Sequence, residues 1–156
     1  MEERFNIHVI IDDEGNKTHL LATVDTKANE VLISQGKPLD DSDAAIEKLF
    51  NEKVNYHLNI SSSFVVRLVD ELQGIEVKGE KIDGKKALQL VRDDKLDEVV
   101  DALSKTLEKR NLLKTIPSLL TSLNDTYQMD IAFMDIFKTL LSEINEINDW
   151  KVKLVR

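Results

Sequence analysis

The sequence predicts one α/β domain, and three observations carry that expectation. The first sixty residues set short apolar, β-branched runs between clusters of turn formers. The remainder places apolar residues at helical spacing. No linker, internal repeat or low-complexity tract divides the two.

The elements follow in order. Residues 5–11 are an apolar strand, and Asp12-Asp13-Glu14-Gly15-Asn16 supplies a turn into a second strand over 18–25. Thr26-Lys27-Ala28-Asn29-Glu30 turns again into a strand over 31–34, which makes an antiparallel meander. Gln35-Gly36-Lys37-Pro38 breaks the pattern, and Asp41 or Ser42 caps a helix over 43–52. Over 54–60 a strand shows Val54, Tyr56, Leu58 and Ile60 to one side and Asn55, His57 and Asn59 to the other. Ser61-Ser62-Ser63 offers hydroxyls to cap the next helix, whose stripe is Phe64, Val65, Leu68, Val69 and Leu72. Gly74 stands where that helix needs a positive φ to stop. A short strand over 75–78 follows, then a turn at Asp83-Gly84 and a helical run through Leu90 with the charged end Arg92-Asp93-Asp94. A helix over 94–109 turns Leu96, Val99, Val100, Leu103 and Leu107 inward. Pro117 suits the first turn of a helix ending near Leu123. Asp130 precedes a helix over 131–144 that carries Phe133, Met134, Phe137 and Leu141, and residues 149–155 close with a strand-like alternation.

Composition narrows the function. The 156 residues suffice for one real core, and 42% hydrophobic with 32% charged residues is globular usage. A net charge of -8 supplies no basic footprint for nucleic acid or anionic lipid. With no cysteine, a disulfide framework, a thiolate metal site and a cysteine nucleophile are excluded. No apolar run approaches the ~18 to 20 residues of a membrane span, and the short charged start Met1-Glu2-Glu3-Arg4 has no signal-peptide pattern.

Chemistry-bearing patterns are sparse. His8, His19 and His57 lie on separate strands without the HxxxH or HxH spacing of a metal pair, although His8 and His57 can meet on neighbouring strands; scattered histidines are the expectation. The acidic groups Asp12-Asp13-Glu14 and Asp40, Asp41, Asp43 lack a calcium-loop spacing, and turn chemistry and capping account for both. No GxSxG, SxxK, P-loop or GxGxxG is present. Arg92, leaving an apolar helix, can present a rigid fork to a phosphate, and Lys37 at a strand end can join it. Asp93 and Asp94 partly neutralise Arg92, so a salt bridge is the simpler reading.

The stretch VNYHLNISSSFVVRLVDELQGIEVKGEKIDGKKALQLVR resembles the LytR-CpsA-Psr family of cell-envelope proteins. Its matching residues are Tyr56, Phe64, Leu68, Val69, Asp70, Leu72, Gly74, Ile75, Val77, Gly84, Ala87, Leu88, Val91 and Arg92. THLLATVDTKANEVLIS resembles the family's earlier strands, and DEVVDALSKTL, IPSLLTSL and the helix after Met129-Asp130-Ile131 follow its tail. The resemblance implies an α/β/α domain with a mixed, largely antiparallel central sheet flanked by helices. It also implies an extracytoplasmic protein tethered by an N-terminal anchor that is not in this sequence. Members move polyprenyl-pyrophosphate-linked glycopolymers onto peptidoglycan, with arginines and Asp-held Mg²⁺ on the pyrophosphate and the lipid in an apolar pocket.

This sequence departs from that pattern at the chemistry. Thr18 stands at the family's strand-opening aspartate, and Ser34-Gln35-Gly36-Lys37-Pro38 at its SIPRD segment, so lysine replaces arginine and the aspartate is lost. After Arg92 the short acidic run Asp93-Asp94-Lys95-Leu96-Asp97 replaces a longer loop with further arginines. Arg92 and Lys37 remain as the phosphate-binding candidates, with no catalytic residue assigned and the metal ligands unknown. The first reading is a non-catalytic binding or scaffold module in cell-envelope glycopolymer assembly. The alternatives are an active Mg²⁺-dependent glycopolymer phosphotransferase and a cytoplasmic α/β interaction protein.

Overall fold

The computed structural model describes residues 4–109, 121–143 and 151–155. In chain order the strands are β1 (Arg4–Asp13), β2 (Asn16–Asp25), β3 (Glu30–Gly36), β4 (Tyr56–Ser61), β5 (Ile75–Val77), β6 (Glu80–Ile82), β7 (Tyr127–Met129) and β8 (Lys151–Val155). The helices are α1 (Asp43–Phe50), α2 (Ser62–Glu71), α3 (Gly84–Arg92), α4 (Leu96–Lys109) and α5 (Ile131–Glu143). They form two compact units, Met1–Asn59 with Gln128–Arg156, and Ile60–Tyr127.

The first unit is built on a sheet of order β7-β4-β1-β2-β3-β8. β1, β2 and β3 form the expected antiparallel meander, and β8 adds parallel to β3, which makes the sheet mixed. Glu14 (φ 53°) and Gly15 (φ 97°) give the β1–β2 turn two left-handed residues, the geometry that follows the twist of paired strands. Asp12 Oδ1 accepts from the Gly15 amide at 2.9 Å, and Asp25 Oδ1 accepts from the Lys27 and Ala28 amides at 3.0 Å. Asp12 and Asp25 are therefore consumed by turn geometry.

Alternation gives this sheet two unlike faces. Phe5, Ile7, Ala22 and Val24 bury against Phe133 of α5, with Tyr56 and Leu58 of β4 beside them. The opposite face carries Asn6, His8, His19 and Thr23, all buried. Asn6 anchors the chain leading into β4. Its side-chain amide donates to the Lys53 carbonyl at 2.8 Å, its backbone amide donates to Asn55 Oδ1 at 2.9 Å, and Thr23 Oγ1 donates to its Oδ1. Ser42 caps α1, accepting from the Ala45 amide at 3.2 Å.

In the second unit α2, α3 and α4 close over the β5–β6 hairpin. Its core is Val69, Ile75, Ile82, Ala87, Val99 and Ala102. Ser61 caps α2 as expected, accepting from the Phe64 amide at 3.4 Å. Lys78 (φ 50°) and Gly79 (φ 80°) make the hairpin turn, and the partner strand over 80–82 is an element the sequence reading does not contain.

Three boundaries differ from expectation, each for a backbone reason. Gly74 has the expected positive φ (94°), but Gln73 (φ 63°) is already left-handed one residue earlier. The Gln73 amide reaches the Asp70 carbonyl at 2.9 Å and the Gly74 amide the Val69 carbonyl at 2.9 Å, the double closure of a Schellman motif. Asp83-Gly84 is not a turn: Asp83 caps α3, accepting from the Lys86 amide at 2.9 Å, and Gly84 is its first residue. Asp94 (φ 64°) does not start α4. It closes α3 in the same way, with its own amide on Val91 and that of Lys95 on Leu90, so α4 begins at Leu96. The helix expected from Pro117 lies outside the described residues except at its end, where residues 121 and 122 are helical.

Candidate functional site

The polar face of the first sheet gathers all three histidines. Register pairs His8 with Leu21 and Ile10 with His19, so His8 and His19 are diagonal neighbours on one face. His8 Nε2 and His19 Nδ1 are 2.9 Å apart, and the rings stack with centroids 5.2 Å apart. β4 lies next to β1, and His57 meets His8 edge to face at 6.4 Å. The expectation of scattered histidines fails here because pairing joins residues that sequence spacing separates.

Carboxylates rim this cluster. His19 Nε2 is 3.3 Å from Asp41 Oδ1, and Asp41 also pairs with Lys17. The His57 ring lies between Asp43 Oδ1, 2.8 Å from Nε2, and Asp130 Oδ2, 2.9 Å from Nδ1. Asp130 Oδ2 also accepts from the His57 backbone amide at 2.8 Å. Asp130, which precedes α5, is thus half of a two-carboxylate clamp.

Charge and burial sort the three imidazoles. Burial, then the neighbouring His19 and His57, pushes His8 down to about 4. Burial also lowers His19, against the pull of Asp41. Burial acts to lower His57 too, but its bonds to Asp43 and Asp130 outweigh that and raise it. The 2.9 Å contact between His8 and His19 admits one proton between the two nitrogens. With Asp41 beside His19 Nε2, the consistent neutral arrangement has His8 Nε2–H donating to His19 Nδ1. His57 is the opposite case: both its nitrogens face carboxylate oxygens, which suits an imidazolium.

The two phosphate-binding candidates fall in different units. Lys37 is exposed just after β3, one residue beyond Gly36, the cross-strand partner of His19. Arg92 is exposed in the last turn of α3, in the second unit. Asp94, next but one to it, has its backbone fixed by the helix closure described above. A cleft of about 450 Å³ in the second unit lies between the β5–β6 turn and α4, mixes charged residues with Val77 and Ala102, and is lined by neither candidate. Lys78 and Glu98 pair across it at 2.8 Å.

Among the described residues the donor set does not fit Mg²⁺. Among the described residues no group of three or more His, Asp or Glu is arranged to hold a metal ion. Asp41, Asp43 and Asp130 are turned toward Lys17 and His57 instead. Nor, among the described residues, is any helix long and apolar enough to cross a membrane. The histidine cluster was missed from sequence, yet a signal existed. A two-residue turn at Glu14-Gly15 fixes a register that puts residues 8 and 19 on one face.

No family model and no curated protein matches the sequence. Solved structures do match its fold. An Enterococcus faecalis transcriptional regulator shares 15% identity at a TM-score of 0.69, over 98% of this chain and 75% of its own. TagT bound to LIIa-WTA gives 14% and 0.69, over 99% and 78%. Bacillus subtilis TagU gives 14% and 0.56, over 99% and 84%.

Proposed function

From the premise that this chain has the LytR-CpsA-Psr fold in a divergent form, we propose that it is a non-catalytic binding module of cell-envelope glycopolymer assembly, working outside the cytoplasmic membrane. One observation carries the reading. The β2–β3 register sets His19 opposite Gly36, which joins the two segments that resemble the family's metal- and phosphate-holding strands. Thr18 stands there in place of the family's aspartate, and Lys17 beside it is paired with Asp41. Phosphoryl transfer needs unspent positive charge aimed at the leaving group. Here Lys17 and His57 are both neutralised by neighbouring carboxylates, and among the described residues no donor group is arranged for a metal ion. TagT, of the same fold, was solved with wall teichoic acid ligands, which supports a glycopolymer as the bound class. Regulation at DNA is disfavoured by the net charge of -8.

The test is thermal-shift titration with polyprenyl phosphate, with and without Mg²⁺, beside a glycopolymer transfer assay. The expected result is stabilisation by the lipid phosphate that does not depend on Mg²⁺, and no transfer. No response at saturating lipid removes the binding reading. Transfer that disappears in Arg92→Ala overturns the non-catalytic one.

A further inference from the structure

We propose that His57 is a pH-operated latch that fastens the start of α1 to β4 and the start of α5. The geometry is a clamp with two arms. On one side Asp130 Oδ2 takes both the His57 backbone amide, at 2.8 Å, and ring Nδ1, at 2.9 Å. The Asp130 amide returns to the His57 carbonyl at 3.3 Å, so this arm persists without the ring proton. On the other side Asp43, the first residue of α1, is held through ring Nε2 at 2.8 Å.

An imidazole offers one N–H and an imidazolium two. Both arms are therefore closed together only while His57 is protonated. Loss of the proton leaves a nitrogen lone pair facing a carboxylate, and the Asp43 arm, which lacks the backbone support of its counterpart, is the one that opens. The charged and titratable groups around His57 are Asp43 from α1, Asp130 ahead of α5 and His8 from β1, with His19, Asp41 and Lys17 beyond His8. The two carboxylates favour the imidazolium, and His8, being neutral, does not oppose it. Asp41, just ahead of α1, keeps its own ties to Lys17 and His19, so the opening is confined to the first turn of α1.

The latch is tested on the whole chain, without any ligand. Imidazole NMR titration is expected to place His57 above 6.5. Across that same titration, amide protection factors in the first turns of α1, read at Ile46, are expected to fall about two- to fivefold, the range for a half-exposed ion pair. Asp43→Asn is expected to lower the His57 pKa and to flatten the dependence. His57→Gln is expected to hold α1 protection constant across the range, and it serves as the second variant if the first alters the cap of α1. Protection that stays flat through the wild-type titration, or that changes equally in Asp43→Asn, overturns the proposal. Failure of lipid binding leaves it untouched, because none of these readouts uses a ligand.

Discussion

The Asp70 carboxylate accepts a hydrogen bond from the Gly84 amide at 2.8 Å, fastening the end of α2 to the start of α3. Both residues belong to the stretch that resembles the LytR-CpsA-Psr family. Their contact gives that part of the resemblance a structural cause. A Cβ on Gly84 would lie 2.1 Å from the Val66 carbonyl oxygen, so α3 approaches α2 at a distance only glycine permits.

Gly84→Ala is therefore expected to destabilise the protein by about 3 kcal/mol, because backbone rather than a flexible side chain must move. Asp70→Ala, which leaves the Gly84 amide without its carboxylate, is expected to cost about 1 kcal/mol. Urea unfolding of both variants measures this, and a Gly84→Ala protein as stable as wild type contradicts the close approach.

Gln73→Gly is expected to stabilise by about 1 kcal/mol, since a side chain at φ 63° is strained and glycine is not. The Schellman bonds of Gln73 and Gly74 use only backbone atoms, so nothing is lost with the side chain. A fall in the unfolding midpoint would show that the Gln73 side chain has a role of its own.

Asn6→Ala is expected to cost about 2 kcal/mol, as Asn6 is buried and its loss strands the Thr23 hydroxyl and the Lys53 carbonyl. Thr23→Val removes one of the same bonds. In a double-mutant cycle the two are expected to couple rather than add, because they share that bond.

Stability is expected to peak between two histidine limbs of opposite sign. His57 is raised, so its contribution is full below its unfolded value of 6.5 and is lost as pH climbs through the higher folded value. His8 is lowered to about 4, so its contribution is present above 6.5 and is lost as pH falls toward 4. Unfolding midpoints measured across pH are expected to drop on both sides, with His57→Gln flattening the alkaline limb and His8→Gln the part of the acid limb down to pH 4. A midpoint that rises steadily through pH 8 contradicts the His57 assignment.

Lys37→Ala and Arg92→Ala are each expected to weaken polyprenyl phosphate binding several-fold without changing a transfer rate, which is zero in the proposed function. Isothermal titration on both variants checks the first claim, and equal affinity in both mutants and wild type removes them as phosphate ligands.

What the sequence determined by itself is local or carried by a matched motif. The meander, the Ser42 and Ser61 caps and the amphipathic faces of α2 and α4 follow from turn chemistry, side-chain oxygens and periodicity, all of which act within a few residues. The family likeness was legible because Asp70, Gly84 and the apolar positions around them build the α2–α3 joint directly. What the tertiary structure decided is which polar groups meet. Gln73 and Asp94 take left-handed conformations because helix closure outweighs their intrinsic cost. His8, His19, His57, Asp43 and Asp130 are far apart in the sequence, and strand pairing together with the placement of α1 and of the start of α5 brings them within 3 to 7 Å of a neighbour in the cluster. Their charge states follow from that meeting, since a proton's affinity depends on burial and on the charges nearby, neither of which is written in the order of residues.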